Sequence, residues 1–105
     1  MQPFDIYRFS FPWAGCNDQR PWVIIDLRAN KPCGCFPIAS ECYAGIGCFR
    51  IDREHEDFQH TGLTKTSFIH YGQVIAVPSK QVLLGSRGGD LRNALLFQFK
   101  YFANL

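Results

Sequence analysis

Arg20-Pro21-Trp22-Val23-Ile24-Ile25 is where the chain passes from polar to apolar. Ahead of it lies a turn-rich run, Ala14-Gly15-Cys16-Asn17-Asp18-Gln19. After Pro21 come a tryptophan, a valine and two isoleucines, bulky or β-branched residues that suit a pleated strand better than a helix. Proline is tolerated at the first residue of a strand. The stretch therefore predicts a strand that begins near Pro21, sinks into a core and ends near Leu27. Arg20 stands at its mouth. A cation where a loop becomes a buried strand has a fixed base and an exposed tip, which aims it at an anionic ligand. The competing reading is a solvated loop charge, and the rest of the chain has to choose between the two.

Upstream, residues 5–11 alternate, with Tyr7, Phe9 and Phe11 to one side and Ile6, Arg8 and Ser10 to the other. This is the period of a strand. Pro12-Trp13 ends it, and a polar loop over 14–19 leads into the next strand, so the two should pair as a hairpin. Downstream, Asn30-Lys31-Pro32 is turn chemistry. Cys33 to Ser40 predicts a third strand, with Pro37 at a bulge or edge. A loop over 41–47 and a short fourth strand, Cys48 to Asp52, follow. Residues 53–57 look like a charged surface segment. Thr66–Tyr71 and Val74–Val77 are strand-like pieces around Gly72-Gln73. Lys80 to Leu84 fits a strand or a single helical turn. Residues 85–89, with three glycines, predict a loop. From Asp90, a suitable N-cap, the period becomes helical: Leu91, Leu95, Phe99 and Phe102 share a face. A C-terminal helix is expected over about 91–103. It either covers an open barrel end or lends part of its face to a subunit interface. The whole chain predicts one mainly β domain over 1–105, a small SH3-like barrel of about five to seven strands closed by that helix.

The totals agree with this. A chain of 105 residues with 47% hydrophobic and 19% charged residues is globular rather than disordered. Ten phenylalanines suit an aromatic-packed core. A net charge of +2 permits a nucleic-acid partner without the polybasic signature of one. No apolar run approaches the roughly 20 residues of a spanning helix. No basic segment followed by an apolar one opens the chain, so the expected compartment is the cytoplasm, with no membrane. Five cysteines cannot all pair within one chain. Cys33, Cys35, Cys42 and Cys48 leave a zinc site open, at atypical spacing. The favoured reading is reduced thiols that partly serve as small core residues.

Asp5-Ile6-Tyr7, Phe11-Pro12, Arg20-Pro21-Trp22-Val23-Ile24-Ile25, Pro37-Ile38-Ala39-Ser40, Gly62-Leu63, Thr66-Ser67-Phe68-Ile69 and Gln73-Val74 follow one another in an order that resembles the PemK/MazF-like toxins. These are growth inhibitors of toxin–antitoxin pairs. The resemblance spans nearly the whole chain. It implies an SH3-like barrel, usually a homodimer, that cleaves single-stranded RNA without metal or other cofactor. The ribose 2′-OH attacks the adjacent phosphorus and leaves a 2′,3′-cyclic phosphate. The chemistry needs a base, an acid and a cation for the charged phosphorane. The resemblance assigns the phosphate-binding arginine to Arg20. A threonine of the family falls on Ala39, leaving Ser40 as the nearest hydroxyl. An Arg-x-Asp pair falls on His70 and Gly72, so the aspartate is absent and His70 becomes the candidate acid or base, its ordinary pKa suiting proton transfer near neutrality. The competing view of His70 is an exposed strand residue.

Further candidates come from residue type. Trp13 would stack a base or pack on the barrel rim. Lys65, Arg87 and Arg92 are phosphate contacts if they face the same side as Arg20. His55 and His60, among acidic neighbours, look solvated, with a metal site the weaker alternative. The partners implied are single-stranded RNA and a cognate antitoxin. A different class of function is a barrel of the same fold that binds nucleic acid or protein without catalysis, which the Ala39 and Gly72 departures motivate.

Overall fold

The structure, a computed structural model, describes residues 1–11, 16–27, 31–43 and 47–105, and for Cys16 and Asn17 the backbone alone. Among them lie seven strands: β1 Asp5–Phe11, β2 Cys16–Asp26, β3 Cys33–Ala39, β4 Cys48–Ile51, β5 Ser67–His70, β6 Ile75–Val77 and β7 Ser86–Asp90. There are two α-helices, α1 Ser79–Leu83 and α2 Asn93–Ala103, and a 3-10 turn at Phe58–Thr61. The protein is thus mainly β with a C-terminal helix, as expected. All strand pairs are antiparallel, in the order β4-β5-β3-β2-β1-β7, and β6 also pairs with β3. The path is open, with β4 and β7 at its ends.

β3 is the pivot. Along one edge it pairs with β2. Its other edge is shared: Cys33–Cys35 face β6, and Ile38 and Ala39 face β5. Pro37 sits near this change of partner, where the missing N–H of a proline costs little.

The alternation of the central strands buries both faces of the sheet. Tyr7, Phe9 and Phe11 of β1, Trp22 and Ile24 of β2, and Cys33 and Cys35 of β3 form one cluster, with Val77 and Val82. Phe9 stacks on Trp22 with ring centroids 5.1 Å apart, and Phe11 meets the same indole edge-on. On the other face Ile6, Val23, Phe36 and Ile38 join Phe49, Ile51, Ile69, Leu91, Leu95 and Phe99. Phe99 is fully buried and meets Phe36 and Phe49 edge-to-face. α2 is therefore the lid of this second core, held by the Leu91, Leu95 and Phe99 of the expected stripe; Phe102 is exposed instead.

Several expectations need correction. β2 starts at Cys16, well before Pro21, because the polar arm pairs back on β1 through Phe9↔Arg20 and Phe11↔Cys16. Ser86–Asp90 is a strand rather than a loop: its backbone completes the free edge of β1, with Gly88 unpaired where the register shifts. Of the two readings of Lys80–Leu84, the helical turn holds: Lys80–Leu83 lie in α1, with Leu84 as its C-cap. Asp90 does not cap α2. The N-cap is Arg92, which gives no side-chain cap. The cap comes from Asp57, whose carboxylate accepts from the Leu95 N–H at 3.3 Å. Asp57 is buried, contrary to the surface role expected of 53–57, and His55 is tied in with it. The Asp57 N–H donates to His55 Nδ1, so Nε2 carries the proton and donates to Gln98 Oε1 of α2, each at 3.0 Å.

Cys33 and Cys35 are buried free thiols, as core residues should be. Burial, and then neighbouring Cys33, push the Cys35 thiol up to about 12, so it stays protonated near neutrality. Cys42 and Cys48 are joined in a disulfide rather than reduced. Among the described residues no group of three or more His, Cys, Asp or Glu side chains is placed to hold a metal.

Candidate nucleic-acid interface

The middles of β1 and β2, the end of β3 and the segment before β5 line a cleft of about 330 Å³. Arg8 of β1, Arg20 of β2 and Lys65 bring three cations to its lining, and the described lining holds no carboxylate. Ser40, one residue past β3, adds a hydroxyl, and Ile38 supplies an apolar floor that belongs to the core beneath. All three cations are exposed. Like charges gathered without a counter-charge repel one another, and an anion entering the cleft relieves that repulsion.

Each wall has a local cause. Arg8 shares the Ile6 side of β1, and its neighbour across the ladder is Pro21. A proline there adds no long side chain to compete for the space. The stem of Arg8 runs beside Gly88 of β7. The third wall, Leu63–Lys65, is set by close backbone contact between the 3-10 turn and β7. Gly62 has φ of 73°, a left-handed conformation that favours glycine, and a β-carbon there would strike the Gly88 carbonyl. A β-carbon on Gly89 would collide with the His60 and Thr61 carbonyls. Ser67 then ties down the wall by donating from Oγ to the Lys65 carbonyl at 2.8 Å.

Of the residues singled out in the sequence, Arg20, Ser40 and Lys65 meet in this cleft. Ala39, the threonine position of the resemblance, lines it without a hydroxyl. His70 is elsewhere. It is 5% exposed, on β5, and is not part of the described lining. Its Nε2 donates to the Glu41 carbonyl at 2.9 Å. Gly72 is exposed in the turn after β5. Trp13 lies outside the described residues. Arg87 and Arg92 are engaged in another place. Arg92 makes a fork to both Asp90 oxygens at 2.7 and 2.8 Å, and Arg87 reaches Asp90 at 2.6 Å and Asp5 at 3.4 Å. The Arg92 hydrogen bond, with Arg87 adding to it, holds the Asp90 carboxyl below its ordinary value.

Arg8 and Tyr43 are among the lining residues that had not been singled out. Arg8 was legible as the one cation inside an apolar alternating strand. Tyr43, in the loop after β3, gave no signal in the sequence.

No protein-family model matches the chain, and no curated protein matches it.

Proposed function

We propose that this chain is a toxin of the PemK/MazF type, a metal-independent endoribonuclease whose cleft takes the backbone of single-stranded RNA. The observation that carries this is the meeting of Arg8, Arg20 and Lys65 around one opening with no carboxylate among them. Guanidinium forks match phosphate oxygens, and a low, partly apolar floor strengthens that attraction. In the reaction the 2′-OH gives up its proton to a base as it attacks the adjacent phosphorus, the bond to the 5′-oxygen breaks as that oxygen takes up a proton, and charge builds on the non-bridging oxygens. Arg20 and its neighbours stabilise that charge. Selectivity for RNA follows because DNA lacks the nucleophile.

The same charge suits an antitoxin that covers the cleft with an acidic segment, ordered on binding. A homodimer is part of this reading, and the exposed Phe97, Tyr101 and Phe102 of α2 are apolar surface that such a contact would cover. The place of action is the cytoplasm, where the RNA is. Among the described residues no helix is long and apolar enough to cross a membrane.

A second reading, binding without cleavage, is favoured by the burial of His70 and by the alanine at position 39. Incubating the pure protein with mixed single-stranded RNA in a chelator, from pH 5 to 9, separates the two. Fragments ending in 2′,3′-cyclic phosphate, absent with Arg20→Ala, are the expected result. Tight binding without any cleavage gives the second reading instead, and neither binding nor cleavage sinks both.

A further inference from the structure

Tyr43 stands at the rim of the cationic cleft with 56% of its surface exposed. An aromatic ring left in water is costly unless something covers it, and this one is held in place from several sides. The residue before it, Cys42, is bonded to Cys48 of β4. The residue before that, Glu41, gives its carbonyl to His70 Nε2. The His70 ring meets the Tyr43 ring at 5.8 Å between centroids, inclined by 65°. Cys48 and His70 are themselves partners across the β4–β5 ladder. Three consecutive residues of the rim are therefore anchored to one cross-strand pair.

We infer that Tyr43 is a stacking platform for a nucleobase of the strand whose phosphates lie on Arg8, Arg20 and Lys65, and that His70 is the residue that positions it. The inference rests on the reading of the cleft as an RNA site and adds to it a base subsite. A flexible exposed tyrosine would lose rotamer freedom on stacking; a ring already fixed loses little of it. Stacking accepts any base, because every base has a π-face, so the subsite favours base-bearing strands over bare backbone rather than one sequence over another. It also gives buried His70 a task that needs no proton transfer.

The test compares two short single strands, both 2′-deoxy so that neither is cleaved. One carries 2-aminopurine and ordinary bases and the other is wholly abasic. Wild-type protein should bind the base-bearing strand tighter by roughly 5- to 150-fold and quench the 2-aminopurine fluorescence. Tyr43→Ala should abolish both the preference and the quench while leaving abasic affinity unchanged, and Tyr43→Phe should retain all three. His70→Ala should reduce the preference and the quench without changing abasic affinity. Because Tyr43 is exposed, its variants fold and decide the matter even if the buried His70 variant does not. Equal wild-type affinity for the two strands overturns the base subsite and leaves the phosphate cleft standing. A preference that survives in Tyr43→Ala overturns Tyr43 as the stacking platform, and one unchanged in a folded His70→Ala overturns His70 as its positioning residue. Failure to bind either strand overturns the cleft and the subsite together.

Discussion

Replacing Arg8 with glutamine should flatten the salt dependence of single-strand binding by one phosphate contact. Three cations line the cleft. Each phosphate neutralised on a single strand contributes about −0.7 to the slope of log K against log salt, so three give roughly −2.1. Between 50 and 200 mM salt the wild type should then lose affinity by about 18-fold, and Arg8→Gln, at a slope of roughly −1.4, by about 7-fold. Glutamine is the better substitute because the Arg8 stem packs beside Gly88, and alanine would remove that contact along with the charge. The assay is fluorescence anisotropy of an end-labelled, uncleavable 2′-deoxy strand over a potassium chloride series. Arg87→Gln is the control: its guanidinium is committed to Asp90 and Asp5, away from the cleft, and its slope should match the wild type. A wild-type slope in Arg8→Gln would refute the placement of Arg8 on a phosphate. A slope that flattened as much in Arg87→Gln would show that net charge, rather than the cleft, governs binding.

Asp57→Ala should destabilise the fold by roughly 2 kcal/mol, since it removes the cap on Leu95 and leaves that buried N–H without its acceptor. In a thermal melt this amounts to a fall of about 8–16 °C; a change under 3 °C, on the order of half a kcal/mol, would mean that α2 is capped by other groups. Gly89→Ala should lower stability and RNA affinity together, because the 3-10 turn must retreat and carry Leu63–Lys65 with it. Unchanged affinity in a folded, destabilised Gly89→Ala protein would disconnect that turn from the cleft. Asp90 has a lowered carboxyl pKa in the fold, so its contribution to stability is present above the ordinary carboxyl range and is lost as pH falls through the lowered value. Asp90→Asn should therefore unfold more easily than wild type at pH 7, and the two melting curves should converge below about pH 4. A difference that stays constant down to pH 2 would contradict the ion-pair account.

What the sequence made legible follows from where side chains, rather than backbone, decide the structure. β1 alternates over its whole length, and its bounds were readable residue by residue. The Leu91, Leu95 and Phe99 stripe likewise announced α2 and its buried face. Ser86–Asp90 has no such pattern: all five of its residues are small or polar, and its strand exists because β1 has an edge to fill. The start of β2 was hidden for the same reason, since Cys16–Gln19 carry no apolar period and take their geometry from pairing with β1. Asp57 looked like a solvated charge because its burial depends on a helix that begins 36 residues later at Asn93. In the site, Arg20 was visible as a cation beside an apolar run, although it lies within β2 rather than at its mouth. That Ser40 and Lys65 join it is a matter of how β3 and the 62–65 segment fold back. Tyr43 was invisible because its placement comes from His70 on β5 and from the bond between its neighbour Cys42 and Cys48 on β4.

The pairing of β1 with β7 has a consequence for how the molecule comes into being. β1 meets β2 almost at once along the chain, but its other edge waits for a partner at the far end, with Asp5 opposite Asp90. Contacts between distant parts of a chain form late, because their loop entropy must be met before they contribute anything. The cleft inherits that delay: the stem of Arg8 runs beside Gly88, and the wall bearing Lys65 is seated against Gly88 and Gly89. During synthesis the early hairpin would display Arg8 and Arg20 without the rest of the pocket around them. If the cleft is the RNA site proposed above, a growing chain would not present it complete until the residues of β7 have been made and docked.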